Sequence, residues 1–395
     1  MSLLALHRVF LSGGEPFHLR RRHVRFMFRF MDPKAPSKVH GRGAQSAELS
    51  RRFSLPERST DGDWRDHVAL LDGPPVKLRT TVTAEHARSI LSFNTSPDIG
   101  FDRSVNAYRG CEHGCIYCFA RPSHAYHDLS PGLDFETRLF AKPDAARLLR
   151  QTLARRNYEP RTIAMGTNTD PYQPIERDWR LTRALLQVCL EAQHPVTITT
   201  KSDRVLADLD LVQQLAERQL VAVAISVTTL DPRLATLLEP RAPAPARRLA
   251  ALKRLQAAGV PVHCAISPII PAITDDGLEA IIARVAENGV QSVGYIPLRL
   301  PHEVAPLFRE WLAVHFPERA AKVMNIVRSM RGGRDNDPDF FTRMRPQGTW
   351  AMLLQSRFRA ACRRAGLQPI RFALDCSRFS IPSHWPEAPA QQKLL

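Results

Sequence analysis

The sequence predicts an α/β protein built on one parallel sheet, and three observations carry that expectation. From about residue 103 onwards, six apolar strand candidates alternate with six amphipathic stretches. The fourth candidate, Leu220–Val227, is almost continuously apolar, as a strand covered on both faces must be. The polar clusters of the core follow the strands, at the carboxyl ends where α/β sheets gather their ligands.

The strand candidates are Val105–Tyr108, Thr162–Met165, Val196–Thr199, Leu220–Val227, Val262–Ile266 and Ser292–Ile296. Helix-like stretches lie near 143–157, 179–193, 207–219, 245–258, 276–288 and 302–315. Pro143, Asp208, Pro245 and Asp275 mark helix starts. Gly259 and Gly289 mark helix ends, each followed closely by a strand. Six consecutive strand–helix units imply right-handed crossovers.

Residues 76–316 form the expected core, with 76–102 as lead-in strands and loops. Ahead of it, 1–75 reads as a basic, largely disordered region. Met31-Asp32-Pro33 resembles a fresh N-terminus, so 1–30, with its run Arg20-Arg21-Arg22-His23-Val24-Arg25, is expected to be a mis-assigned start or a tail. Gly41-Arg42-Gly43-Ala44 is expected to be a solvated basic arm. Residues 317–376 are expected to form a C-terminal lid or substrate extension with a helix over 351–366, and 377–395 a loose tail.

At 395 residues with 44% hydrophobic content, the chain can bury a full-sized core. Lys and Arg outnumber Asp and Glu by 55 to 39, a net charge of +16 that favours nucleic acid or another polyanion as partner. An arginine- and alanine-rich composition can also reflect genomic base bias. No apolar run approaches the ~18–20 residues of a membrane span. The opening MSLLALHRVFLSGG is broken by His7 and Arg8 and does not read as a secretory signal, so a cytoplasmic protein with no membrane partner is expected.

The stretch that organises the chain is Arg109-Gly110-Cys111-Glu112-His113-Gly114-Cys115-Ile116-Tyr117-Cys118-Phe119-Ala120. Cys111, Cys115 and Cys118 have C-x3-C-x2-C spacing, which lets three thiolates on one loop reach three corners of a cubane. Gly110 and Gly114 let the backbone curl around it. Structural zinc is the competing reading, with His124 or His127 as fourth ligand. Near-adjacent cysteines in a reducing compartment argue against disulfides.

The loop resembles the radical S-adenosylmethionine (radical SAM) signature, with Tyr117 in the aromatic slot. The resemblance implies a partial (βα)6 TIM-type barrel with an N-terminal arm and a C-terminal extension. It also implies a 4Fe–4S cluster on Cys111, Cys115 and Cys118, whose open iron chelates S-adenosylmethionine. One electron, from a reductant such as flavodoxin or ferredoxin, would then release a 5′-deoxyadenosyl radical.

The strand ends fit that family. Gly166-Thr167-Asn168-Thr169-Asp170-Pro171-Tyr172-Gln173-Pro174-Ile175-Glu176 resembles the spore-photolyase-like (DNA repair photolyase-like) branch, which implies cofactor contacts from Gly166, Thr167, Asn168 and Asp170. The same resemblance makes Lys201, in Thr200-Lys201-Ser202, the candidate for the methionine carboxylate. Ser226 and Thr228 suit the ribose hydroxyls, Glu239 and Arg241 in Glu239-Pro240-Arg241 the pocket lining, and Ile266 with its neighbours to Ile269 the adenine or the ordinary core. Arg247 and Arg248 read as solvated helix-surface residues. Arg299 is a candidate for an anionic substrate group. Phe340 and Phe341 among arginines can stack bases or close a lid.

The expected function is hydrogen abstraction from an unidentified substrate, with nucleic acid the first candidate. The loop after the second strand has no cysteine, which argues against thymine-dimer repair. The alternative is a non-catalytic zinc- or cluster-containing nucleic-acid-binding protein.

Overall fold

The computed structural model describes residues 39, 41–50, 52, 78–367 and 372–385. The readings made for residues 1–38, including the start at Met31, lie outside the described residues. The same holds for 53–77 and for 386–395.

Apolar alternation and glycine punctuation produce the expected sheet. Strands β2 (Leu91–Phe93), β3 (Arg103–Val105), β6 (Ile163–Met165), β7 (Val196–Thr200), β8 (Val221–Ser226), β9 (Val262–Ile269) and β10 (Ser292–Pro297) lie in the order β10-β9-β8-β7-β6-β3-β2. From β3 to β10 every pairing is parallel, and β2 caps the edge antiparallel to β3. Helices α2 (Ala145–Leu153), α4 (Leu181–Glu191), α5 (Leu209–Glu217), α7 (Pro245–Ala257), α8 (Leu278–Glu287) and α9 (Val304–His315) follow successive strands, with short α3 (Glu176–Trp179) ahead of α4 and α6 (Pro232–Leu238) ahead of α7. The expected helices were one to four residues too long at their ends, where turns fray the pattern.

Three differences from the sequence reading shape the site. The first expected strand is split. Arg103–Val105 joins the main sheet, whereas β4 (Tyr108–Arg109) pairs antiparallel with β5 (Arg138–Ala141) in a small sheet completed by β1 (Thr81–Ala84). This sheet carries the cysteine loop out of the barrel and, through the short helix α1 (Leu133–Thr137), back beneath it. A further helix, α10 (Pro317–Ser329), packs on α9 and joins Leu298, Trp311 and Ile116 in a second core under the loop. Finally, part of the expected loose tail is docked: Trp385 is buried and donates Nε1–H to Glu191 at 3.1 Å, and Phe379 packs edge-on to His194.

Side-chain alternation separates the lumen from the helix layer. Val196 and Ile198 of β7 are buried with the helices, while Thr197 between them is half-buried and Thr199 beyond them is exposed. On β8, Val221, Val223 and Ile225 take the helix side, which leaves Ser226 on the other face. α11 (Gly348–Arg364) closes over α8 through Arg357, which forms a bidentate pair with Glu279 at 2.7 and 2.8 Å. No helix of the described residues is long and apolar enough to cross a membrane.

Candidate active site

Three thiols share the loop after β4. Cys111 and Cys115 are buried, Cys118 is half-buried, and all are free. The loop is wound by Gly114 N–H to the Cys111 carbonyl at 3.3 Å and Cys118 N–H to the Cys115 carbonyl at 3.2 Å. Gly110 and Gly114 take φ of +72° and +68°, a region costly to other residues. Burial pushes the Cys115 thiol up to about 12, and Cys111 and Cys118 are raised for the same reason. As thiolates these groups would need a positive charge beside them, which a bound metal supplies.

The arm segment was expected in solvent and instead supports the loop. Glu136 Oε2 and Oε1 accept the Gly43 and Ala44 N–H groups at 3.0 and 2.8 Å. The same carboxylate pairs with fully buried Arg121 at 2.5 Å, and that guanidinium also holds the Gly114 and Cys115 carbonyls at 3.1 and 2.9 Å. A β-carbon on Gly43 would stand 1.8 Å from the Gly114 carbonyl oxygen. Gly43→Ala is therefore expected to cost about 2–3 kcal/mol in urea unfolding and to lower iron loading. Gly41→Ala, with φ +70° but open space around it, should cost only about 1 kcal/mol.

The donor set fits a cubane with one thiolate per iron. It does not suit a single ion. Among the described residues no group of three or more His, Cys, Asp or Glu is arranged to hold a metal ion. His124, the suggested fourth zinc ligand, has Nε2 on the Arg138 carbonyl at 2.9 Å and packs edge-on to Phe135. His127 lies against Phe140.

Beside the thiols lies a buried polar network. Tyr117 is buried, and its hydroxyl donates to Glu239 Oε1, which also accepts from Thr228 Oγ1 at 2.7 Å. The Glu239 Oε2 atom forms an ion pair with Arg248. Burial would raise the Glu239 carboxyl, but Arg248 and Lys201 outweigh it and hold it down at about 2. Lys201 Nζ stands 5.7 Å from the Tyr117 ring centroid. Burial works to lower the Lys201 ammonium; Glu239 overcomes this and holds it above its ordinary value. A fixed cation thus sits next to the thiol loop.

Four residues named from the sequence are tied into a turn, the outer surface or the core. Asp170 is saturated: Oδ1 accepts from Thr200 Oγ1 at 2.6 Å and Tyr172 N–H at 2.9 Å, and Oδ2 from Lys201 N–H at 2.7 Å with His113 Nδ1 at 3.3 Å. It orders the turn that presents Lys201. Arg241 points outward, its Nη2 2.6 Å from Glu112 Oε1, because its N–H is pinned to the His113 carbonyl at 3.2 Å. Ile266 is 1% exposed in the core cluster with Leu252 and Ile281, so alternation gives the lumen to Ala265 and Ser267. Asn168 is exposed, tethered only through its N–H to Asn106 Oδ1 at 2.9 Å.

The others stay near the site. A β-carbon on Gly166 would meet the Thr199 carbonyl at 2.0 Å, so the β6 end can cross β7 only as glycine. Thr167 Oγ1 accepts from Asn106 Nδ2 at 3.1 Å. Ser226 is buried at the end of β8, where its carbonyl accepts from Arg248 Nη1 at 3.2 Å. Two positioning residues escaped the sequence reading, Asn106 and Arg248. Arg248 had a signal: Ala251, Leu252 and Leu255 follow it at i+3, i+4 and i+7, which places it on the buried stripe of α7.

A cavity of about 620 Å³ opens on the other side of the loop, lined by Glu112, His113, Asp203, Arg204, Arg241 and Arg247 among others. Lys201, Ser226 and Thr228 do not reach it. The loop thus has two faces, one toward the strand ends and one toward this basic-rimmed cavity.

Residues 105–285 match the family model of the radical SAM superfamily. An uncharacterised protein of Mycobacterium tuberculosis is 36% identical over 230 residues, which span 58% of this chain and 68% of that protein. An uncharacterised protein of Methanocaldococcus jannaschii is 28% identical over 222 residues, 56% of this chain and 79% of that protein. Spore photoproduct lyase complexed with dinucleoside spore photoproduct shares the fold at a TM-score of 0.52 and 15% identity, over 72% of this chain and 79% of that one. The chain belongs to the radical SAM superfamily, enzymes that work with a 4Fe–4S cluster and S-adenosylmethionine.

Proposed function

We propose that this enzyme cleaves S-adenosylmethionine reductively at the Cys111–Cys118 loop and abstracts a hydrogen atom from a nucleic-acid substrate. The observation that carries the reading is the Lys201 ammonium, kept charged by Glu239 and set over Tyr117 beside three free thiols. When bound, the cluster supplies the electron that breaks the sulfonium C–S bond. Cys111, Cys115 and Cys118 would hold it. Lys201 would take the methionine carboxylate, as a compact cation suits that group. Ser226 at the end of β8 and Thr228 just beyond it would meet the ribose, and the Tyr117–Glu239–Arg248 network keeps that wall rigid and dry. An acidic one-electron donor such as flavodoxin or ferredoxin would approach from the cavity rimmed by Arg204, Arg241 and Arg247.

Net charge of +16 supports a nucleic-acid substrate. The thymine-repair variant of this chemistry has no support, because the four remaining cysteines lie away from the loop. Cys189 and Cys264 are in the core with the helices, and Cys362 is on α11 with Cys376 further along the chain.

The test is anaerobic. Reconstituted protein with dithionite and S-adenosylmethionine should form 5′-deoxyadenosine, read by mass spectrometry. In Lys201→Gln the KM for S-adenosylmethionine should rise about 10–100-fold, with a smaller fall in kcat. A fully loaded wild type that forms no product, with or without single-stranded DNA, would overturn the reading.

A further inference from the structure

Outside the site, buried Arg331 and half-buried Arg299 form no ion pair among the described residues. Arg299 sits on the loop leaving β10, two residues past the strand's carboxyl end. Arg331 follows α10 and is 3% exposed. The same two chain segments clamp both side chains. Arg331 donates Nη2–H to the Leu298 carbonyl at 3.1 Å and Nη1–H to the Arg343 carbonyl at 2.7 Å. Arg299 donates Nη1–H to the Met344 thioether at 3.0 Å. The two guanidiniums therefore lie within electrostatic reach of each other, and neither forms an ion pair among the described residues.

Both Nε–H groups are buried and have no hydrogen-bond partner. A thioether is a weak acceptor, so most of the Arg299 donors are unclaimed as well. The nearby carboxylates are committed elsewhere. Asp98 is held bidentately by Arg343 at 2.6 and 2.8 Å and also accepts the Phe341 N–H at 3.2 Å. Asp337 accepts the Asp339 N–H at 3.0 Å and faces Arg334 at 3.5 Å. Burial lowers both guanidiniums; Arg343 adds to the effect at Arg299, and Arg299 adds to it at Arg331, which falls to about 10. Burying two like charges with donors unspent is costly unless an anion completes the set.

We propose that Arg299 and Arg331 form a seat for a phosphate group of the substrate, with the flexible Met344 side chain as its displaceable cap. Paired guanidinium forks match the tetrahedral oxygens of phosphate. The neighbouring segment favours a nucleotide over a bare carboxylate: Phe340 and Phe341 are 52% and 56% exposed, and Arg343 stacks on Phe340 at 4.7 Å. This assignment rests on the reading above that the strand ends receive the substrate, and it names the group by which substrate is anchored.

The experiment uses reconstituted holoenzyme under anaerobic conditions. A fluorescently labelled single-stranded oligodeoxythymidylate is followed by anisotropy across a salt series, with thymidine 5′-monophosphate as competitor. Arg299→Gln is expected to weaken oligonucleotide binding about tenfold. It should also make the log Kd against log salt slope shallower by about 0.7, the loss of one phosphate contact. Arg299→Lys should recover part of both, and melting curves should match the wild type. Arg299-dependent displacement by the monophosphate would identify a free nucleotide as source, and its absence a strand; either supports the seat. Equal affinity and equal salt slope in wild type and Arg299→Gln for both probes would overturn it. Formation of 5′-deoxyadenosine by the wild type is scored separately. Arg299-dependent binding without that product sinks the radical reading and leaves the seat, and the converse does the reverse.

Discussion

Arg248→Ala should be among the most destabilising single substitutions in the barrel, at about 3–5 kcal/mol in urea unfolding of the apoprotein. The reason is the partner left behind. Glu239 is 1% exposed and is held ionised by Arg248 and Lys201 against the effect of burial. Arg248 also ties down the Ser226 carbonyl and, through Nε at 2.7 Å, the Pro243 carbonyl. Without it, the Glu239 carboxylate keeps only Lys201 as a cation and draws that side chain away from the anion it is placed to meet. Glu239→Gln on the Arg248→Ala background should recover part of the loss, so the cycle should show a coupling of about 2 kcal/mol or more. Additive single losses below about 1 kcal/mol would show that the pair does not organise this wall.

Arg248 also shows where the sequence was readable and where it was not. Strands and helices of the core were legible because each is a local pattern: alternation in β7, a continuous apolar run in β8, a glycine at 259 and 289. The cysteine loop was legible because spacing alone limits what three thiolates can hold. Arg248 was misread by residue type although its spacing to Leu252 and Leu255 marked it as buried. The arm at 42–44 had no local signal. Its burial comes from Glu136, more than ninety positions away, whose carboxylate receives two arm N–H groups and a buried arginine. Polar segments that fold by such long-range hydrogen bonds look the same in sequence as solvated ones. Ile266 was left between the adenine and the ordinary core and lies in the core, because one residue of strand register separates the lumen from the helix layer.

Two faces of one loop also give the molecule a direction. Glu112 and His113 turn toward the outer cavity, while Cys115 and Tyr117 belong to the core that meets the strand ends. Gln173 joins these faces, accepting the Glu112 N–H at 2.8 Å and donating to the Gly110 carbonyl at 3.2 Å. An electron delivered from outside would thus cross a rigid, hydrogen-bonded turn before reaching the side on which Lys201 waits.

Cys115→Ala should abolish the chemistry while sparing the fold, and Cys189→Ala should do neither harm beyond packing. The two thiols are matched as physical objects. Both are buried, at 7% and 0% exposure, and burial pushes both up to about 12. Loss of either sulfur from an apolar setting should cost about 1 kcal/mol in the apoprotein. The difference lies in their neighbours: Cys115 stands with Cys111 and Cys118, whereas Cys189 packs on α4 among Leu185 and Val188. A cubane on three protein thiolates that loses one is expected to load poorly. Iron content should fall well below roughly four per chain, and 5′-deoxyadenosine to under about a hundredth of wild type. Cys189→Ala should keep both within about twofold. Undiminished iron and product in Cys115→Ala would remove the loop from the reaction. Equal losses in Cys115→Ala and Cys189→Ala would assign the effect to packing, since only a ligand role separates two cysteines so alike in burial.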